Sequence, residues 1–207
     1  MAGILFNIPT SVVLFDDDFT GTNGDPPNSN IWSIVGDSAD VFIQDNQLRT
    51  QVAGTSEDNG VASLFKISGD FSLQVDFDMV TGYGSGTDHS FFITVQHVGE
   101  TFYNSMRIYL NSFSEYLFRI QRWVNGGYGS YTGPGQQSSG SFKLSRSGTL
   151  WQPALDLGSG YVNIAGPQGI GSDDVEISLV NSVWGSVADC KVDFDNFTIT
   201  EGTTSLI

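Results

Sequence analysis

Apolar and polar residues alternate along most of this chain, and a period of two is typical of a strand that is buried on one face. The clearest run is 71–79, in which every second residue is apolar: Phe71, Leu73, Val75, Phe77 and Met79. Comparable runs recur at 31–35, 40–44, 47–52, 62–67, 90–98, 105–110, 115–123, 141–146, 149–155, 160–165 and 175–180. Turn-forming sequences such as DNQ at 45–47 and SGD at 68–70 separate the runs. The pattern predicts an all-β fold, an antiparallel two-sheet β-sandwich built from about a dozen short strands.

The sequence VDFD occurs at 75–78 and again at 192–195. Around the second copy, the apolar residues fall on opposite faces of a regular strand: Val192 and Phe194 on one, Phe197 and Ile199 on the other. A regular strand cannot bury both pairs in one core, so we expect a β-bulge or a sharp twist near Asp195–Asn196.

The 207 residues are 39% hydrophobic and 13% aromatic, which suits one large β-sandwich. We predict a single domain over 14–200, an apolar N-terminal arm over 1–13 and a C-terminal tail over 201–207. The arm is interrupted by a proline, which a sheet edge or an interface tolerates better than a central strand. We therefore predict that it is an assembly element, through these apolar side chains: Ile4, Leu5, Phe6, Ile8, Val12 and Val13.

The chain is strongly acidic, with 23 acidic and 8 basic residues and a formal net charge of −15. This charge argues against binding to nucleic acid phosphates and to anionic membranes. No apolar run is long enough to predict membrane insertion, and the first residues lack a convincing export signal. Cys190 is the single cysteine, so no intrachain disulfide is expected, and its place in an apolar pattern predicts a buried side chain.

A series of motifs resembles the concanavalin A-like lectin/glucanase superfamily, in its laminin-G-like and family-16-glucanase-like branches. In chain order they are DDFTG, NSNIWSI, DNQL, SGDFSLQVDF, FKLSRSGTLWQPAL and VDFDNFTI, and the likeness covers about residues 14–200. The resemblance implies a jelly roll of two curved antiparallel sheets, with a concave face that binds glycan in many relatives. The glucanase branch carries Glu-x-Asp-x-Glu, or a bulged variant of it, on one strand. Nothing here matches either form, because the five glutamates are scattered: Glu57, Glu100, Glu115, Glu176 and Glu201.

Asp76 and Asp78 form the most conspicuous carboxylate pair. Side chains two residues apart on a strand lie about 6.5–7 Å apart, which overlaps the low end of the carboxylate separation in inverting glycosidases, about 6.5–9.5 Å. Three interpretations remain open: residues of a solvated strand face, contacts to a metal or a glycan, and a catalytic pair.

A second acidic group consists of residues from the two ends of the predicted domain. We expect them to lie close together, because the first and last strands of such sandwiches usually run side by side. No cofactor is required by the sequence, but a structural Ca²⁺ ion could bind at this seam, because Ca²⁺ takes six to eight oxygen ligands. The alternative is turn and cap chemistry, in which aspartate and asparagine accept hydrogen bonds from nearby backbone N–H groups. The candidate ligands are Asp16, Asp17, Asp18, Asp193, Asp195 and Asn196.

Tyr83, Tyr128 and Tyr131 lie in glycine- and serine-rich segments that we predict to be loops. Exposed aromatic rings can stack on sugars, contact another protein or have no binding role, and all three alternatives stay open. Trp123 is the best binding candidate among the tryptophans because it adjoins the NGGYG segment, and Trp32, Trp151 and Trp184 are predicted to be core residues.

These observations favour a non-enzymatic binding or structural protein with a lectin-like jelly roll, located on a virion surface as a capsid-decoration or fibre-type component. The expected partners are further copies of the chain or a larger protein shell, with a glycan as a further candidate and no nucleic acid. The first alternative is a free glycan-binding module, and the second is a glycoside hydrolase or polysaccharide lyase with an atypical site.

Overall fold

The computed structural model describes residues 14–54, 56–81, 88–100, 104–111, 117–125, 127–132, 137–184 and 189–207, without the side chains of 88, 108–111, 117 and 184. These residues form sixteen β-strands, numbered here in chain order, and a single turn of 3₁₀-helix at Ser38–Asp40. No helix in the described ranges has the length and hydrophobicity that crossing a bilayer would require. The predicted all-β fold is therefore confirmed.

Seven of the strands form the half of the structure that we call sheet A. Their spatial order is β2 (Trp32–Val35), β5 (Glu57–Ser63), β15 (Val175–Trp184), β7 (Asp88–His97), β8 (Ser105–Asn111), β9 (Leu117–Val124) and β10 (Gly127–Thr132). Each strand is antiparallel to its neighbours.

The remaining strands form sheet B, whose main path is β3 (Val41–Gln44), β4 (Gln47–Val52), β16 (Cys190–Leu206), β6 (Phe65–Thr81), β11 (Ser139–Ser147) and β12 (Leu150–Asp156). Three short strands complete it: β1 (Phe15–Asp17) pairs with β16, and β13 (Val162–Asn163) and β14 (Gln168–Gly169) pair with β12. A single residue pair between β15 and β6, Val175 with Ile67, joins the two sheets into one hydrogen-bonded system.

The inner faces of the two sheets pack on each other through an aromatic cluster. Phe77 of sheet B lies 5.0 Å from Phe91 and 5.6 Å from Phe118 of sheet A, measured between ring centroids. Phe142 of sheet B stacks on Phe77 at 4.6 Å and lies 5.8 Å from Phe91. Trp32 and Trp151 are also buried in the core, as predicted. The described chain is therefore an antiparallel β-sandwich.

The two long strands, β6 and β16, test the alternation most directly. In β6, Phe71, Leu73, Val75 and Phe77 are buried and Met79 is half-buried, which confirms the period of two. The turn predicted at 68–70 is wrong, because β6 continues through it. The reason is that β16 pairs with β6 on both sides of this segment, with register shifts that absorb the irregularity.

The predicted bulge near Asp195–Asn196 is confirmed. The register of β16 against β6 shifts between Asp195 and Thr198, and Asn196 takes the left-handed conformation with φ of 51°. Both apolar pairs of this strand are consequently buried: Val192, Phe194, Phe197 and Ile199. The segment 201–207 is not a tail, since β16 extends to Leu206 and pairs with β6 to its end. The predicted arm, 1–13, lies outside the described residues.

A polar group crosses the core at one end of the sandwich. Asn181 of sheet A donates from Nδ2 to the carbonyls of Thr50, at 3.1 Å, and Cys190, at 3.2 Å, both in sheet B. Its Oδ1 accepts from Nε2 of His89. His89 is fully buried, and this burial lowers the pKa of its imidazole to about 4. The folded protein therefore holds His89 neutral. Cys190 is also buried, as predicted.

Lowering the pH from 7.5 to 5 should remove about 2 kcal/mol of stability through His89. The unfolded chain binds a proton at His89 below a pKa of about 6.5, whereas the folded chain does so only near 4. The contribution of His89 is therefore fully present above pH 6.5 and is lost as the pH falls from 6.5 towards 4. Urea unfolding at the two pH values measures the change. His89→Gln should show a pH dependence smaller by about this amount, and an unchanged dependence would contradict the assignment.

Candidate functional site

The outer face of sheet A carries side chains that alternate with the core. Phe91, Ile93 and Val95 of β7 point into the core, so Phe92, Thr94 and Gln96 lie on the outer face. Phe92 packs against its cross-strand neighbour Val180 of β15, and this pair is separate from the main core.

An aromatic pair lies at the β9–β10 edge of this face. Trp123 and Tyr128 are directly opposite in register, with ring centroids 5.6 Å apart. Tyr128 is 59% exposed, and its hydroxyl accepts a hydrogen bond from Gln121 Nε2 at 3.3 Å. Aromatic rings with polar groups at their margin suit the apolar C–H faces and the hydroxyls of a sugar.

Arg107 of β8 is fixed beside this pair. Its guanidinium lies 3.7 Å from the ring centroid of Phe92 and 6.0 Å from that of Trp123. Its Nε donates to Thr94 Oγ1 at 3.1 Å. The contact with Phe92 is a cation–π interaction, which holds the charge in place. We call this surface the aromatic–arginine face, defined by Phe92, Thr94, Arg107, Gln121, Trp123 and Tyr128.

Carboxylates border the aromatic–arginine face on the β15–β5 side. Glu176 of β15 accepts from Gln96 Nε2 at 2.7 Å, and Asp58 of β5 accepts from the hydroxyl of Ser182. Ser182 and Glu176 are six residues apart on β15, about 20 Å at about 3.3 Å per residue. A glycosidase pair needs carboxyl groups about 5–9.5 Å apart, so Glu176 and Asp58 do not form one together.

Asp76 and Asp78 lie on the outer face of sheet B, on the other side of the molecule. Asp76 accepts hydrogen bonds from the Ser141 hydroxyl and from Asn196 Nδ2, the latter at 2.9 Å. Asp78 is exposed. A pocket of about 370 Å³ opens beside Asp76, next to Ser141 and Asp156. The pair therefore does not belong to the aromatic–arginine face, and its role stays a prediction.

The predicted acidic seam is brought together in part, because β1 pairs with β16. Asp17 accepts from the Trp32 indole at 2.7 Å and from the Phe19 backbone N–H at 2.9 Å. Asp193 is 3% exposed and forms an ion pair with Arg49 at 2.6 Å. Both carboxylates therefore already have partners.

The other members of the seam have looser surroundings. Asp16 is exposed, and Asp18 accepts from Thr20 next to it in the chain. Burial raises the pKa of the Asp195 carboxyl, and the nearby carboxylates of Asp76 and Asp18 raise it further. Across the described ranges, no group of three or more His, Cys, Asp or Glu side chains is placed to hold a metal ion. The Ca²⁺ site stays a prediction from the sequence.

The three tyrosines that the sequence predicted to lie in loops have different locations. The segment with Tyr128 and Tyr131 is not a loop but the edge strand β10, since its backbone pairs with β9. Tyr131 lies on the opposite face from Tyr128, and its hydroxyl donates to Gln168 of β14 at 3.1 Å, joining the edges of the two sheets. Tyr83 lies outside the described residues. Trp123, which the sequence favoured among the tryptophans as a binding candidate, lies on the aromatic–arginine face.

Sequence reasoning missed Arg107 and Glu176. A signal was present for Arg107, because SMRIYL alternates polar and apolar residues and puts Arg107 on the side opposite Met106 and Ile108. What the sequence did not provide is the register that places β8 beside β7 and β9.

Solved structures similar to this chain were found by comparison of folds. The LamAcat protein from Zobellia galactanivorans has a TM-score of 0.68 and 13% identity, over 92% of this chain and 98% of that one. A structure reported with endo-acting O-glycanases of the human gut microbiota has a TM-score of 0.71 and 13% identity, over 91% and 99%. A pseudo beta-1,3-glucanase of Mycobacterium tuberculosis has a TM-score of 0.69 and 13% identity, over 92% of this chain and 99% of that one. No protein-family model matches the chain, and no curated protein matches it in sequence.

These neighbours correct the functional prediction from the sequence. The expected non-enzymatic virion component is contradicted, because the similar structures are those of beta-glucanases and other glycoside hydrolases, with one pseudo-glucanase among them. The low identity means that the likeness shows the fold. The chain therefore has the concanavalin A-like jelly-roll fold of the family 16 glucanases.

Proposed function

We propose that this protein is a glycan-active enzyme that binds a polysaccharide chain across the aromatic–arginine face and cleaves it. The observation that carries the proposal is the Trp123–Tyr128 pair, which lies beside the hydrogen-bonding side chains of Gln121 and Arg107. The fold likeness to glucanases and to an O-glycanase supports it.

Each part of the surface has a role in this proposal. The aromatic pair stacks on a sugar ring, and the neighbouring side chains of Gln121 and Arg107 bind the hydroxyls of that sugar. Glu176, held by Gln96, is the candidate acid or base among the described residues. The Glu-x-Asp-x-Glu sequence of the glucanase branch is missing, so the carboxylates of this enzyme are arranged differently from those of that branch.

Release of reducing ends from a panel of β-glucans and mucin-type glycans tests the proposal, with absorbance of unsaturated products as the test for a lyase. The wild-type protein should release product from at least one polymer. Trp123→Ala should weaken binding of that polymer about threefold to tenfold. Glu176→Gln should lower kcat by about 10²–10⁴-fold with little change in binding.

Tyr161→Ala is the matched control, because Tyr161 is 40% exposed and bonds to Gln74 on the outer face of sheet B. It should bind and cleave as the wild type does. Binding of polymers without release of any product by the wild-type protein would contradict the enzymatic proposal. Equal losses in Trp123→Ala and Tyr161→Ala would contradict the assignment of the face.

A further inference from the structure

The few positive charges of this acidic chain are unevenly distributed. Three of the eight basic residues, Arg107, Arg119 and Arg122, lie on the adjacent strands β8 and β9. Of the other five cationic side chains, three form ion pairs with carboxylates: Arg49 with Asp193, Lys66 with Asp174 and Lys191 with Asp189. Arg146 instead donates to the backbone carbonyls of Gly69 and Asp173, and Lys143 lies over the Tyr161 ring.

Arg119 and Arg122 are not paired in this way within the described part of the chain. The Nε atom of each is buried and has no hydrogen-bond acceptor there, and neither belongs to a described ion pair. A buried charged donor without an acceptor is costly. An anionic ligand that contacts the guanidinium would offset that cost through its charge.

Arg107 and Arg119 lie on the same face. Arg107 is opposite Gln121 in register, and Arg119 is two residues from Gln121 on β9, so the two arginines are diagonal neighbours. Phe118 and Ile120 on either side of Arg119 are fully buried in the core, which puts Arg119 on the outer side. Arg122 has the opposite parity and packs against Gly129 of β10.

We infer that the glycan bound by this protein is anionic, and that Arg107 and Arg119 bind its carboxylate or sulfate groups beside the aromatic pair. The inference rests on the proposed function and adds the chemical class of the substrate. The planar guanidinium presents paired donors that match both anions. The charges also fix a direction across the sheet, because the anionic groups lie over β8–β9 and away from the carboxylates of Glu176 and Asp58 on β15 and β5.

Two pairs of polymers test the inference, each with the same backbone in charged and neutral form. Polygalacturonate and its carboxyl-reduced form test the carboxylate, and dextran sulfate and dextran test the sulfate. Affinity is measured by titration calorimetry with the full chain. The charged member of at least one pair should bind more tightly, with an affinity that falls as salt is added. Arg119→Gln should weaken that binding about tenfold to hundredfold and leave the binding of neutral β-glucan unchanged.

Arg122→Gln is the matched control, since it removes the same charge from the same strand on the opposite face. Arg122→Gln should bind the charged polymer with an affinity within about twofold of the wild type. This comparison separates a direct contact of Arg119 with the anion from the long-range electrostatic attraction that any positive charge provides. Equal affinity for the charged and neutral members overturns the inference, and so does an Arg119→Gln effect no larger than that of Arg122→Gln. Either result leaves the proposed function standing if any polymer is cleaved. Absence of turnover and binding on every polymer, β-glucans included, overturns both.

Discussion

Replacement of Arg49 by methionine should lower the free energy of unfolding by about 3–5 kcal/mol. Arg49 donates from Nε and Nη2 to the two carboxylate oxygens of Asp193, at 2.7 and 2.6 Å. The hydrogen bond to Asp193 also raises the pKa of the Arg49 guanidinium. Without the arginine, a carboxylate that is 3% exposed stays in the sheet with no counter-charge. Denaturant unfolding measures the loss, with an unchanged slope as the sign that the mutant still folds completely.

Two variants control for this result. Lys191→Met breaks the ion pair of Lys191 with Asp189, whose side chain is 54% exposed, and should change stability by about 0.5 kcal/mol or less. The double variant Arg49→Met with Asp193→Leu should be more stable than Arg49→Met alone, because no buried charge is left unpaired. A loss of less than about 1 kcal/mol in Arg49→Met would show that water or another group compensates Asp193.

Replacement of Phe142 by alanine should also lower the free energy of unfolding by about 3–5 kcal/mol. Phe142 is fully buried and contacts Phe77 within sheet B and both Phe91 and Phe118 across the sandwich. Truncation leaves a cavity in the aromatic cluster between the two sheets, and such a cavity costs stability because its lining relaxes only in part. Thermal and urea unfolding of the variant give the measurement.

Phe142→Leu separates the cavity from the loss of the aromatic ring. It keeps most of the apolar volume and should cost about 1.5 kcal/mol or less. If alanine and leucine cost the same, the contacts between rings outweigh the filling of space at this position. If neither has an effect, Phe142 is not a core contact between the sheets.

The parts of the fold that follow from local alternation could be predicted. The buried face of β6 and the bulge at Asn196 were both visible in the order of apolar residues. The run predicted at 62–67 covers only the last two residues of β5, because its first residues, EDNG, are polar or glycine and show no alternation with apolar residues. Gly60 is required there for another reason, since a Cβ atom would lie 2.0 Å from the Leu179 carbonyl oxygen on β15. A close approach between strands that are far apart in the sequence leaves no signal in the local sequence of either strand.

The candidate site was predictable only one residue at a time. Trp123 and Tyr128 were both selected, but their pairing depends on the β9–β10 hairpin, which the glycine-rich sequence concealed. Arg107 and Phe92 meet because β7 and β8 align in a register that no local pattern encodes. The prediction of a non-enzyme rested on the missing glutamate motif, and a missing motif excludes one arrangement of carboxylates rather than every one.

The place of β16 in sheet B has a consequence for biosynthesis. This strand lies between β6 on one side and β4 and β1 on the other, although it is translated after all of them. While the ribosome is still adding β16, these three strands have left the exit tunnel with the hydrogen-bonding edges that β16 will occupy still open. Sheet B can therefore be completed only after this strand has been translated and has itself left the tunnel, and the nascent chain is exposed to aggregation until then.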